Sequence, residues 1–126
     1  MSGWIGVDLD ATLAQYDGWK GSAKIGPPIP KMLERVKGWL AKGQDVRIFT
    51  ARADDPDAIE PIKEWCRQWI GQELQITNRK DYSCIEIWDD RAVQVIPNTG
   101  ERADRHPIGQ EFAKQQIFGV WDPMGE

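Results

Sequence analysis

Four carboxylates stand where two short apolar runs end. Asp8 and Asp10 close Trp4-Ile5-Gly6-Val7, and Asp89 and Asp90 close Ile85-Glu86-Ile87-Trp88. Thr50 ends a third run, Asp45 to Ala51, and Lys80 follows a fourth, Leu74-Gln75-Ile76-Thr77. Carboxylates gathered at one end of a sheet repel one another unless a cation or hydrogen bonds compensate, so the set implies a hard divalent metal, with Mg2+ the expected ion. Singly, each residue has an ordinary explanation. Two acids at a strand end cap turns or meet solvent, a threonine suits a strand, and a lysine is usually a solvated charge. Together the types are complementary: a nucleophile, a proton carrier, a hydroxyl donor, a cation and metal acids.

The elements that must position these groups follow from periodicity. The apolar runs predict strands at 4–7, 45–51, 74–77 and 85–88, with a fifth at 92–96. Leu33, Val36 and Leu40, with Met32 and Trp39 beside them, recur at helical spacing between Pro30 and Gly43. Ile59, Ile62, Cys66, Trp69 and Ile70 do the same after Asp54-Asp55-Pro56-Asp57, although Pro61 obscures where that helix starts. Strand and helix in alternation build a parallel sheet covered by helices, so the expected class is α/β, with about five strands. In such sheets ligands bind outside the carboxyl ends of the strands, where these groups lie. Residues 11–29, with three glycines and two prolines, read as an ordered excursion. The tail from Pro97 carries a helical pattern at 109–118.

Composition narrows the class further. The chain has 126 residues, 40% apolar and 29% charged, with a net charge of −4, as expected for one globular domain. That acidic balance argues against bulk capture of nucleic acid or an anionic membrane. The expectation is a cytoplasmic protein, because no apolar run approaches the roughly 20 residues that span a bilayer and no signal-peptide pattern opens the chain. Cys66 and Cys84 fit no metal-ligand spacing and read as reduced core thiols. His106, before Pro107 in a polar stretch, reads as surface. Seven tryptophans are many for this length. Packing accounts for Trp4, Trp39, Trp65, Trp69 and Trp88, leaving Trp19 and Trp121 for a flap or a subunit contact. Glu86 sits uneasily in a strand expected to be buried, and calls for an exposed face or a partner such as Arg91.

Val7-Asp8-Leu9-Asp10-Ala11-Thr12, Ile48-Phe49-Thr50-Ala51-Arg52, Lys80 and Trp88-Asp89-Asp90 resemble, in this order, the four motifs of the haloacid dehalogenase (HAD) superfamily of aspartate-nucleophile phosphohydrolases. The resemblance spans about residues 4–96 and implies a three-layer Rossmann-like fold. It implies that Asp8 attacks phosphorus and ligates Mg2+. Asp10 would protonate the leaving oxygen, activate water and face the metal through its backbone carbonyl. Thr50 and Lys80 would hold phosphoryl oxygens, and Asp89 and Asp90 would complete the metal site. Arg79 adjoins Lys80, and Lys80 is preferred because the family often has a lysine shortly before this strand. The acid at Asp10 favours phosphatase over dehalogenase chemistry, since an alkoxide leaving group needs a proton.

The spacing leaves no room for a cap domain, so the site is expected to be open unless another subunit of a homo-oligomer or the 13–29 segment closes over it. In that segment Tyr16, Trp19, Lys20 and Lys24 either contact substrate or pack and solvate without function. Arg52 and Arg91 stand where they could touch substrate, although loop arginines usually pair locally. The substrate is then a small phosphate ester, such as a nucleotide or sugar phosphate, or a phosphorylated nucleic-acid end. The competing classes are a phospho-acceptor signalling module and a non-catalytic scaffold. Order separates the first of these, because receiver-like domains resemble a pattern with the acidic pair after the first strand.

Overall fold

A computed structural model describes residues 3–105. Four parallel strands, β1 (Trp4–Val7), β2 (Asp45–Phe49), β3 (Ile76–Thr77) and β4 (Cys84–Trp88), form one sheet in the order β3-β2-β1-β4. Helix α1 (Pro30–Ala41) links β1 to β2, and α2 (Pro56–Trp69) links β2 to β3. The class is α/β and the sheet is Rossmann-like. Both helical connections step the same way along the sheet, so right-handed crossovers place both helices on one face. That face carries Ile5, Val7, Val46 and Ile48, all buried, against Val36 and Trp39 of α1. Trp39 meets Trp88 of β4 edge-on at 5.3 Å.

Three strand expectations change, the first being that β2 ends at Phe49 rather than Ala51, because Ala51–Asp54 coil into a short 3-10 turn. The run 92–96 does not join the sheet, which has four strands rather than five. Residues 91–105 belong to a separate compact unit, in which Val95 bridges Arg102 antiparallel and Ile96 N–H donates to Glu101 O. The reason is turn chemistry: Asn98 and Gly100 both adopt positive φ and fold the chain back on itself. The third strand shortens from 74–77 to two residues, although Leu74 stays buried. Between β3 and β4 only residues 78–83 cross from one sheet edge to the other, and no helix forms there. Among the described residues, then, the third layer is not helical. The helical pattern at 109–118, His106 and Trp121 lie outside the described residues.

Helix ends follow local chemistry. Pro30 and Pro56 occupy first-turn positions, and Asp55 caps α2 by accepting from Asp57 N–H at 2.9 Å. Pro61 lies inside α2, which runs through it despite losing one backbone hydrogen bond, because Ala58, Ile62, Trp65 and Cys66 bury a continuous stripe. Trp69, expected in the core, ends that helix 37% exposed. Cys66 is a buried free thiol whose burial pushes its pKa up, and Cys84 is half-buried. No helix among the described residues is long and apolar enough to cross a membrane.

The 11–29 excursion is ordered. Its base is pinched where Gln15 N–H donates to Pro27 O and Ile29 N–H donates to Leu13 O, both at 2.8 Å. Leu13 and Ala14 are fully buried, and Trp65 of α2 donates its indole N–H to Gly26 O at 2.8 Å. A β-carbon at Gly26 would lie 2.1 Å from Gln15 O, so the pinch requires glycine. Gly26→Ala is therefore expected to destabilise the protein by about 2 kcal/mol, because backbone rather than a side-chain tip must move. Urea unfolding checks this, and a change under about 0.5 kcal/mol would mean that the pinch is not rigid.

Candidate functional site

β1 and β4 are adjacent and parallel, with Val7 paired to Trp88, so Asp8 and Asp89-Asp90 emerge side by side at the carboxyl edge. Asp8 N–H donates to Trp88 O at 2.8 Å and locks that register. One carboxylate oxygen from each of Asp8, Asp89 and Asp90 lies within 4.8 Å of the other two. An octahedral ion with bonds of about 2.1 Å sets adjacent ligands about 3 Å apart and opposite ones about 4 Å apart, so oxygens within 4.8 Å of one another are on the scale of its coordination shell. The donors are all hard oxygens, which suits a hard cation.

Electrostatics point the same way. Asp8 is pushed up from 3.8 to about 7, first by burial, then by its hydrogen bond with Asp90 and by the charges of Asp89 and Asp90. The fold thus holds three mutually repelling acids together, and a bound cation would relieve that repulsion. The Thr12 hydroxyl lies 3.3 Å from Oδ2 of Asp8 and 3.4 Å from Oδ1 of Asp90, where it partly offsets the charge. Its place depends on a tight turn in which Ala11 adopts φ +69°, a conformation that an alanine enters only under strain.

Asp10 is placed apart from the other three acids. Its Oδ2 accepts from Arg52 Nε at 2.8 Å and its Oδ1 from Arg52 Nη2 at 2.9 Å, a two-pronged ion pair. Arg52 is 6% exposed and also donates to Ser22 O and Lys24 O, while Trp19 stacks over its guanidinium at 4.8 Å. All its donor nitrogens therefore have partners within the protein. Thr50, buried at the end of β2, accepts from Arg52 N–H at 3.1 Å, and its hydroxyl proton has no acceptor among the described residues.

Lys80 is exposed in the 78–83 crossover, lining a shallow hollow with Asp81, Tyr82 and Cys84, and makes no hydrogen bond to the acidic cluster among the described residues. Asp81 ties this crossover to β1 by accepting from the Trp4 indole at 2.9 Å. The Glu86 carboxylate accepts from Trp88 Nε1 at 3.0 Å, which helps settle that acid inside the strand.

Sequence reasoning passed over Arg35 as a candidate. It projects from α1, 8% exposed, over the Trp88 ring at 5.0 Å, and lines a hollow with Thr12, Lys31, Asp89 and Asp90. Its signal was the helical spacing from Met32 and Trp39, which puts position 35 beside the core stripe. A larger hollow, of about 370 Å³, lies beside Asp10 and Arg52 and is otherwise walled by residues of the 15–27 segment, including Tyr16, Lys20 and Lys24. Lys20 is paired with Asp17, and Tyr16 and Trp19 are 41% and 58% exposed, so neither ring is packed away.

No family model and no curated protein matches the chain. One solved structure does. A conserved protein from Bacteroides thetaiotaomicron superposes with a TM-score of 0.57 at 23% identity, over 91% of this chain and 93% of that one. The likeness shows a shared fold.

Proposed function

We propose that the chain is a Mg2+-dependent phosphohydrolase of the haloacid dehalogenase type, acting on small phosphate esters through an aspartyl-phosphate on Asp8. The observation that carries this reading is the meeting of Asp8, Asp89 and Asp90 at the ends of two adjacent strands, with a further carboxylate, Asp10, two residues from the first.

Asp8, Asp89 and Asp90 would hold the ion, which would supply positive charge as an anionic ester approaches an anionic nucleophile. An Asp8 carboxylate oxygen attacks phosphorus while the bond from phosphorus to the leaving oxygen breaks. Asp10, entering this step protonated on a lone pair that Arg52 leaves free, gives that oxygen the proton. Water then attacks the aspartyl-phosphate and yields its proton to Asp10, which releases inorganic phosphate and restores both acids. The Thr50 hydroxyl is suited to donate to a phosphoryl oxygen, as its oxygen already accepts from the backbone. Lys80, exposed in the 78–83 crossover, would supply a cation for a phosphoryl oxygen. The hollow beside Asp10 is of small-molecule size, which favours a small ester over a nucleic-acid end.

A panel of nucleotides, sugar phosphates and end-phosphorylated oligonucleotides, assayed with Mg2+, tests the reading. Release of phosphate from small esters is expected, and silence across the panel would favour a non-catalytic or phospho-acceptor role. Asp10→Asn should slow alkyl esters by about 10²-fold or more and aryl esters far less, since a phenolate leaves without a proton. Equal losses would remove Asp10 from the acid role.

A further inference from the structure

We infer that Arg52 is a positioning residue for proton transfer by Asp10, and that it couples this transfer to the seating of the 15–27 segment. The inference rests on the hydrolase reading above and deepens it. A carboxylate held at one oxygen can still rotate, whereas the Arg52 fork engages Oδ2 and Oδ1 at 2.8 and 2.9 Å and fixes the plane of the Asp10 carboxyl. Each oxygen keeps a second lone pair, and the fork sets where it points. Proton transfer needs that site within hydrogen-bond reach of the leaving oxygen, and an error of about 1 Å can cost about 10²-fold.

The guanidinium is fixed from several sides. Ser22 O and Lys24 O accept from it at 3.3 and 3.1 Å, Trp19 covers it, and its own N–H is tied to Thr50 Oγ1. Ser22 is tethered in turn by its hydroxyl to Asp55, the cap of α2. The carbonyls and the ring come from the same segment that walls the hollow beside Asp10. The segment that surrounds a leaving group therefore also aims the acid that protonates it. Lysine cannot replace this fork, because an ammonium is a point charge without paired, coplanar donors.

The full-length protein with Mg2+, assayed on an aryl and an alkyl phosphate with Arg52→Lys and Asp10→Asn singly and combined, tests the inference. Arg52→Lys should reduce alkyl turnover about 10²-fold and aryl turnover by less than about 10-fold. In the Asp10→Asn background the same substitution should add no more than about 3-fold, because its effect passes through Asp10. Equal losses on both esters, or fully multiplicative losses in the double variant, would overturn the positioning role and leave the hydrolase reading intact. Wild-type silence on both esters, or turnover that survives Asp8→Asn, would overturn the hydrolase reading and this inference with it. Should Arg52→Lys not fold by circular dichroism, Trp19→Leu takes its place. Removing the ring should lower the alkyl-to-aryl ratio by about 5-fold, and an unchanged ratio overturns the inference.

Discussion

Asp8→Asn is expected to abolish turnover and, in metal-free solution above neutral pH, to make the fold more stable. The catalytic loss should exceed about 10³-fold, because an amide cannot form the covalent intermediate. The gain in stability has the opposite root. The Asp8 carboxyl is raised from 3.8 to about 7, so between those values the folded protein holds a proton that the unfolded chain has released. Stability from this group is present in full below about pH 4 and is lost as pH rises through about 7. An asparagine has no such loss. The variant should therefore gain on the order of 2 kcal/mol at pH 8, roughly half the full conversion of the shift, since solvent still reaches the site. It should show no gain at pH 4. Mg2+ should narrow the gap at pH 8 by stabilising the wild type more than the variant. Urea midpoints at both pH values, with and without Mg2+, measure this. Parallel profiles for the two proteins would mean that the three acids do not strain the fold.

Arg52→Met should be the most damaging single change to stability near the site, at about 3 kcal/mol. It leaves the Asp10 carboxylate and two carbonyls without their buried donor, and losing one partner of such a pair costs far more than the pair contributes. The loss should also be local. Trp19 loses the cation beneath it, and among the described residues the 16–26 segment keeps the Ser22 tether to Asp55 and, at the far end, the Trp65 bond to Gly26 O. Limited proteolysis should then cut within 16–26 in the variant and not in the wild type. A variant that unfolds within about 0.5 kcal/mol of wild type and stays uncut would show that the segment is seated without Arg52.

Asp8, Asp10, Thr50, Asp89 and Asp90 were legible as strand-end residues because each follows a short apolar run, and burial imprints its period on the chain locally. The same signal failed at 92–96, where alternation is present but the Pro97-to-Gly100 turn directs the pairing to Arg102 instead of the sheet. Lys80 rests on type and order alone, because it stands exposed in the six-residue crossover from β3 to β4, where no hydrogen bond among the described residues fixes its ammonium.

The amino-acid sequence by itself determined the α/β class, the two helices, four of the strands and the acids that end β1 and β4, since all of these rest on patterns within about a dozen residues. Only the tertiary structure decided which charges meet. Thr12 reaches Asp90 across 78 positions, and Arg52 reaches Asp10 across 42. An arginine solvated on a surface and one buried against a carboxylate are written with the same letter. What separates them is desolvation, which penalises every unpaired partner and is set by the packing of distant segments rather than by neighbours in the chain.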